Sequence, residues 1–483
     1  MSTNLLLLLG VLFPIVFTSI GPSSLLEFQI FLALIVTEWA ALRLVYLFGS
    51  GEPRLVQTTF WIFVYVWLGL AALAGTVADR FPILNQSFSS EVQARALLTI
   101  LVGLAAYEVG VRDRKSIPST KLARWLTNRS VNPRRVVIVA VVGLLGTAFA
   151  LWRHGIGIFF RSRYSVVEAI YGQPDPGLRL DQIGNKAVGL FQATLIWAPA
   201  FVALLLLLMV RARRGSGTRL SGRALSPPLT LLLLIGLAIA NLMVNNPISS
   251  PRYRFGGVAL SLVAVAWPLV RPRRYRLWGC GLLAAILFAL PMFDVFRYDD
   301  RKMELAPLRD QLLTSPDFAM FQQEMNAQLY VDEHGFTMGE QVLGVVLGYV
   351  PRALWPGKPI DTGNVIVRTD AINASASLWA TVYIDGGLVL VGLAFLAYGR
   401  VSQLFETLYI RRHTRSSFVA AAVPLYASFQ IILLRGDLQP AVGQLAPLLV
   451  ILLFVTRAHR AAVDRSDIGL RAGSPAGSSA QEL

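Results

Sequence analysis

The chain has 483 residues, of which 55% are hydrophobic and only 15% are charged, and its mean hydropathy is +0.57. A soluble protein of this composition could not cover its apolar surface with polar groups, so a soluble enzyme or binding module is excluded. The formal net charge of +16 would suit a nucleic-acid-binding protein. Much of the lysine and arginine lies beside apolar blocks, however, and no nucleic-acid-binding signature accompanies it. We expect no nucleic-acid partner.

Cysteine, histidine and glycine patterns exclude further classes. The single cysteine, Cys280, lies within an apolar block, so neither an intramolecular disulfide nor a thiolate metal cluster is possible. The four histidines are scattered without metal-ligand spacing, and PGKP at 356–359 lacks the Gly and the Ser or Thr of a P-loop. We therefore expect no cofactor and no bound metal.

Apolar blocks of about 16–24 residues recur along the chain and can cross a hydrocarbon core of about 30 Å as helices. Backbone polar groups in lipid must be satisfied internally, which leaves helices as the spanning form for such blocks. We predict an all-α polytopic membrane protein with about 12 transmembrane helices and a single transmembrane domain over residues 1–456. The predicted spans are 5–20, 25–48, 57–78, 92–111, 136–152, 188–210, 229–245, 255–270, 277–293, 386–399, 418–434 and 441–456.

The orientation of the spans follows from the basic segments between them. In a twelve-span arrangement one side carries the Arg- and Lys-rich segments 112–135, 211–223, 271–276 and 456–465. The positive-inside rule makes that side cytoplasmic, with both termini inside. Residues 457–483, which end in a Gly-, Ser- and Ala-rich stretch, are predicted to form a disordered cytoplasmic tail.

The opposite, outward-facing side carries two long segments, 153–187 and, between spans nine and ten, 294–385. Function in polytopic proteins concentrates in ordered, non-helical segments of this kind, so we expect the site there. Four short stretches with charged residues fall on this side. They are FFRSRYS at 159–165, NNPISSPRYR at 245–254, the acidic and basic parts of 294–385, and TVYIDGG at 381–387.

Arginine is the repeated residue of these stretches, and the stiffest cationic piece is YVPRALWPGKP at 349–359. A guanidinium can hold a phosphate through two parallel charge-assisted hydrogen bonds. Three prolines fix the backbone around Arg352 and Lys358, and Trp355 suits the headgroup level of a membrane. This pattern favours a lipid-linked diphosphate as ligand. The alternative is that such residues are only snorkelling anchors at the ends of spans.

GYVPRALWPGKP, followed by VYIDGGLVLVGLAFLAYG, resembles the Wzy-type oligosaccharide repeat-unit polymerases of bacterial inner membranes. These share a Pro-Arg, Trp-Pro, Lys-Pro block and a later Tyr-x-Asp-x-Gly. SPR at 250–252 and RSRY at 161–164 resemble the earlier Arg-bearing loops of that family. The matching residues of the two main motifs are Pro351, Arg352, Trp355, Pro356, Lys358 and Pro359, then Tyr383, Asp385 and Gly387.

The resemblance implies a GT-C-like fold and a metal-independent glycosyltransferase in the bacterial inner membrane, with its active site facing the periplasm. Such an enzyme transfers a growing glycan from undecaprenyl diphosphate onto a new lipid-linked repeat unit, and the lipid diphosphate leaves. The implied partners are the lipid-linked donor and acceptor and the lipid bilayer. A chain-length regulator and a flippase are further implied partners.

The same resemblance suggests roles for individual residues. Diphosphate-binding candidates are Arg352, Arg252 and Lys358, with Arg161, Arg163 and Arg254 as additional cationic candidates. Trp355 and Tyr383 could pack against sugar faces. An acceptor hydroxyl needs a base within hydrogen-bond reach, and the sequence leaves four candidates open: Asp385, His334, Glu340 and Asp317.

Two other functions remain open from the sequence. An O-antigen ligase uses the same donor with a different acceptor, and His334 in DEHGF would suit its base. A lipid-linked oligosaccharide flippase, or another transporter, would need charged residues along a path through the spans. Glu38, Arg43 and Glu108 are the main charged residues near membrane depth.

Overall fold

A computed structural model describes residues 2–18, 27–112, 125–162, 186–213, 225–267, 269–289, 292, 307–350, 354–367, 375–414 and 416–458. The helices of the first part of the chain are α1 (2–18), α2 (Phe28–Ser50), α3 (Leu55–Ala78), α4 (Ser90–Arg112), α5 (Pro133–His154), α6 (Lys186–Ala212), α7 (Pro227–Val244), α8 (Arg252–Ala266) and α9 (272–289). Those of the second part are α10 (Leu308–Thr314), α11 (Met320–His334), α12 (Glu340–Val346), α13 (Thr362–Ile366), α14 (Leu378–Arg412), α15 (Ser417–Arg435) and α16 (Leu438–Val455).

Each of the twelve predicted spans overlaps one of these helices. Eight helices within the described ranges are long and apolar enough to cross a membrane: α2, α3, α4, α5, α7, α14, α15 and α16. Helix α1 and the part of α6 from Ile196 are apolar but shorter. The prediction of an all-α polytopic membrane protein is confirmed at this level.

Two short strands mark one face of the helical bundle. Strand β1 (Arg129–Val131) pairs antiparallel with β2 (Thr456–Ala458), directly after α16. We call this face the strand face. Arg213 donates to the carbonyl of His413 at 2.8 Å, and Arg276 donates to the carbonyl of Phe48 at 2.7 Å, so these helix ends lie together too.

The strand face therefore gathers the described parts of the basic segments that the sequence placed on one side, which are 125–135, 211–213, 271–276 and 456–458. The predicted disordered tail starts two residues too early, because residues 457 and 458 belong to β2. Its remainder, from 459 onward, lies outside the described residues. We call the opposite end of the bundle, where α3 ends and α4, α8 and α16 begin, the site face.

The long segment 294–385 differs from the expectation of a non-helical loop. Its described part forms helices α10 to α13 and the first turns of α14, joined by short turns. Most of α11 is buried although it is polar: Gln322, Gln323, Glu324, Asn326 and Gln328 are each at most 2% exposed. No apolar stripe marks this helix, yet it is covered because its side chains bond to neighbouring segments. Gln322 bonds to Ile83 in the turn before α4, and Gln328 donates to the Thr99 hydroxyl of α4.

Helix α14 is a helical hairpin and not one continuous rod. The rings of Trp379 and Phe395 lie 3.9 Å apart between centroids, although sixteen residues of straight helix would separate them by about 24 Å. The reversal occurs at Gly386 and Gly387, whose backbone is non-helical. Gly387 has φ 61°, a region that favours glycine. Residues 378–385 thus fold back on 388–412, and the predicted span start at 386 coincides with the reversal.

The core at this hairpin is aromatic and closely packed. Trp379 lies against Gly103 of α4, where an added Cβ would be 2.2 Å from the indole nitrogen. Further along, Gly110 of α4 meets Gly399 of α14, where a Cβ would touch the facing backbone. Phe60 stacks on Tyr107 at 3.7 Å between ring centroids. These contacts fix α3, α4 and α14 relative to each other. The helix ends at the site face are positioned by this packing.

Candidate functional site

Two arginines from different helices converge on one carboxylate at the site face. Arg252, the first residue of α8, places its Nη2 2.7 Å from Oδ2 of Asp317. Arg435, the last residue of α15, contacts Oδ1 of Asp317 and donates from Nε to its carbonyl oxygen at 2.9 Å. The three side chains are 14–21% exposed. We call Arg252, Asp317 and Arg435 the arginine cluster.

Local sequence explains why the three residues meet. Pro251 precedes α8, and the Ser315-Pro316-Asp317 turn begins a short 3-10 helix in which the Ser315 hydroxyl accepts from the Asp317 amide at 3.4 Å. The Trp67 indole donates to the Asp317 carbonyl at 2.8 Å. Trp67 lies about 16 Å before the end of α3, at 1.5 Å per residue. The cluster therefore lies below the outermost part of α3, at the level where α8 begins and α15 ends.

The electrostatics of the cluster favour an anion. Two guanidiniums face one carboxylate, so the three side chains carry a net charge of +1. Partial burial lowers the local dielectric and strengthens each charge interaction relative to water. The guanidiniums of Arg252 and Arg435 both reach the position of the Asp317 carboxylate. Recognition of a phosphate by arginine requires this geometry.

Arg254 and the loop before it extend this cationic region. Its Nη2 donates to the Ser250 hydroxyl at 3.0 Å, and its guanidinium lies 5.4 Å from the Trp197 ring centroid. Asn246 donates to the carbonyl of Phe159 at 2.9 Å, which docks the turn before Arg161 onto this loop. Arg161 is exposed. The first two predicted stretches therefore meet, whereas Arg163 lies outside the described residues.

The Pro-rich stretch is docked beside the cluster, but its lysine faces inward. Lys358 is 7% exposed and donates from Nζ to the carbonyls of Gly348 at 2.5 Å and Val350 at 3.3 Å. It therefore closes the 348–358 loop on itself. Trp355 is half-buried. Arg352, the central prediction of this stretch, lies outside the described residues.

Contacts with α16 fix the position of this stretch. The Tyr349 hydroxyl donates to the Gly443 carbonyl at 2.7 Å. Asp437, two residues after Arg435, accepts from the amides of Gly363 at 2.8 Å and Ala376 at 3.1 Å. The residues after the Pro-rich loop are thus held next to the chain segment that carries Arg435.

Asp385, a predicted base, is engaged in holding the fold. It is 2% exposed, and its carboxylate accepts from the Thr337 hydroxyl and from the amides of Gln341 at 3.1 Å and Val342 at 2.8 Å. The last two are amides of the first turn of α12, whose positive end a carboxylate stabilises. Asp385 thereby ties α12 to the hairpin of α14.

The other predicted bases, and Tyr383, lie apart from the arginine cluster. His334 ends α11, is exposed and stacks on Tyr330 with ring centroids 4.6 Å apart. Glu340 is exposed at the start of α12. Tyr383 is half-buried and meets Phe336 edge-on at 6.3 Å between ring centroids. Of the four predicted bases, Asp317 is the one that belongs to the arginine cluster.

Sequence reasoning missed Arg435 and Trp67. Arg435 ends an apolar block and begins a short loop, a position that normally indicates a snorkelling anchor. Its signal was the pattern RGDL, in which a basic and an acidic residue stand together at the end of a span. Trp67 carries no polar neighbour in sequence, so nothing distinguished its indole from the rest of α3.

Comparison with family models, with curated proteins and with solved structures gives no match. In the part of the chain that the structure describes, no three His, Cys, Asp or Glu side chains converge as a metal site requires. The functional conclusion therefore rests on the residues and their geometry.

Proposed function

We propose that the protein is a membrane glycosyltransferase of the Wzy type, which polymerises oligosaccharide repeat units carried on undecaprenyl diphosphate. The single observation that carries the proposal is the arginine cluster: two guanidiniums, one at the start of α8 and one at the end of the span α15, reach one anionic group. A lipid diphosphate places its charge at such a boundary while its tail stays in hydrocarbon. In this proposal the strand face is cytoplasmic and the site face is periplasmic.

The chemistry follows from the cluster. The lipid-linked donor binds with its diphosphate against Arg252 and Arg435, and both guanidiniums transfer from the Asp317 carboxylate to the diphosphate oxygens. The freed carboxylate accepts the proton of the acceptor hydroxyl. That oxygen forms a bond to the anomeric carbon of the donor, and the bond from this carbon to the diphosphate oxygen breaks. The two arginines stabilise the negative charge on the leaving lipid diphosphate.

Genetic complementation with point variants tests this proposal. In the native host the gene is deleted and complemented with wild type, Arg435→Ala, Arg252→Ala or Asp317→Asn, and lipid-linked and surface glycans are separated by size. We expect single repeats in place of a ladder for all three variants, because loss of one preorganised donor to a developing anion slows a reaction on the order of 100-fold.

The ion pair between α4 and α11 offers a matched control. Arg95 pairs with Asp332 at 2.6 Å, but the two side chains are 37% and 44% exposed. Such a surface pair contributes little, so Arg95→Ala should leave the ladder unchanged at equal expression. A full ladder with Arg435→Ala and Arg252→Ala, both present at wild-type level, would overturn the proposal.

The same experiment separates the alternative functions. Full-length polymer stranded on undecaprenyl diphosphate in the deletion strain would indicate a ligase. Single repeats trapped on the cytoplasmic leaflet would indicate a flippase. Arg43 and Glu108, which the flippase reading needs along a path, pair with each other at 2.6 Å across α2 and α4. That mutual pairing favours a structural role for them.

A further inference from the structure

A second, uncharged cleft opens on the site face between α4 and α11. Its volume is about 270 Å³. Its lining combines amide and hydroxyl side chains with one aromatic ring and two aliphatic residues: Gln86, Ser87, Ser89, Asn326, Phe88, Val92 and Leu329. Among the described residues, neither an acidic nor a basic side chain belongs to this lining. A lining of this kind suits a neutral ligand with many hydroxyl groups, and it offers nothing to a phosphate.

Two buried glutamines hold one wall of the cleft in place. Gln322 of α11 accepts from the Ile83 amide at 2.7 Å and donates to the Ile83 carbonyl at 2.9 Å and to Oε1 of Gln86 at 3.2 Å. Gln93 of α4 donates to the Phe88 carbonyl at 2.8 Å. The turn that leads into this wall contains two non-glycine residues with positive φ, Leu84 and Asn85. Backbone in that region is strained and persists where surrounding contacts enforce it, which is a common feature of binding sites.

The opposite wall presents an unmatched polar atom. Asn326 is 2% exposed and donates to Oε1 of Gln323 at 2.7 Å, while its own Oδ1 is buried without a hydrogen-bond partner among the described residues. A buried acceptor without a partner costs about 1–3 kcal/mol. Asn326 belongs to the cleft lining, so rotation of its side chain toward the cleft would let a ligand hydroxyl supply the missing donor. Across from it, Phe88 is held edge-on by Phe81 at 5.4 Å between ring centroids.

We propose that this cleft is a glycan-binding subsite that holds sugar units of the lipid-linked substrate outward from the arginine cluster. The inference rests on the proposed function for the identity of the substrate. Asn326 is nine residues after Asp317, and α11 leads from one to the other. A preorganised cleft near the low end of ligand-site volumes, roughly 300–1,000 Å³, accommodates a mono- or disaccharide unit and loses little entropy on binding.

Binding to defined probes tests the subsite directly. Oligosaccharides released by mild acid from the host's surface polysaccharide are fluorescently labelled at the reducing end and titrated onto the full chain in nanodiscs. We expect Asn326→Ala and Ser87→Trp to weaken binding at least tenfold. Ser87 is exposed, so the tryptophan fills the cleft without removing an internal contact. Asn128→Ala, the same kind of change at an exposed residue beside β1 on the strand face, should bind as wild type.

Comparison of binding with glycan profiles makes the two possible failures distinguishable. Wild-type binding by both cleft variants, or no binding by the wild-type chain itself, would overturn the subsite whether or not the arginine variants abolish the ladder. Binding that the cleft variants lose, in a host whose ladder survives deletion of the gene, would support the subsite and overturn the polymerase.

Discussion

Replacement of Asp385 by alanine tests whether this residue stabilises the fold or activates the acceptor. The substitution leaves the amides of Gln341 and Val342 without their carboxylate acceptor, and the Gln341 amide is buried. Each buried unsatisfied donor costs about 1–3 kcal/mol, and loss of the charge at the start of α12 removes about 0.3–1 kcal/mol more. Since one of the two amides is buried, we expect a destabilisation of about 1–4 kcal/mol. Asparagine keeps one acceptor oxygen and should cost about half as much.

Hydrogen exchange and thermal unfolding measure the two parts of this prediction. Peptides covering 337–346 should exchange faster in Asp385→Ala, while peptides from α5 serve as the internal reference. Tryptophan fluorescence should report a lower Tm for the alanine variant than for the asparagine variant. Asp385→Asn should still extend the glycan ladder. An Asp385→Asn protein with unchanged exchange and Tm but single repeats only would refute the structural role and make Asp385 the base.

Three further changes have definite expected results. Burial raises the pKa of Glu324 to about 8, so folding favours its neutral form and stability falls as pH rises from about 4.3 to about 8. Glu324→Gln should remove that decline and gain on the order of 3 kcal/mol at pH 7. Profiles of Tm against pH that run parallel for the variant and wild type would contradict this. Gly387→Ala puts a methyl group 3.0 Å from the Phe336 ring at φ 61° and should destabilise the fold by about 1–3 kcal/mol. An unchanged Tm would show that the reversal of α14 does not need glycine at this position. Lys358→Met should speed proteolysis within 348–358, because two carbonyls lose their donor; an unchanged cleavage rate would show that the ammonium does not close the loop.

The spans were predictable because lipid imposes both length and helicity on each apolar block. The hairpin of α14 was not, because residues 378–385 are too short for a span and read as a loop that leads into the next block. Its reversal depends on Gly387 adopting positive φ against Phe336. Only the tertiary contact between Trp379 and Phe395 reveals that the chain turns back.

The site was predicted in part. Arg252 belonged to a recognised basic stretch, and Asp317 was one of four acids or histidines in the right segment. Arg435 was missed, since one arginine at the end of a span is the usual pattern of a membrane anchor. The Pro-rich stretch predicted a stiffened loop, but the direction of Lys358 depends on the carbonyls of Gly348 and Val350, which only the folded loop brings within reach.

The most direct test of the central claim is equilibrium binding of radiolabelled undecaprenyl diphosphate to the full chain in nanodiscs. Arg252→Ala and Arg435→Ala should each weaken binding at least tenfold, and Arg95→Ala should not. Asp317→Asn should bind at least as tightly as wild type, because the carboxylate no longer competes for the two guanidiniums. Wild-type affinity in both cluster arginine variants, or a tenfold loss in Asp317→Asn, would contradict the account.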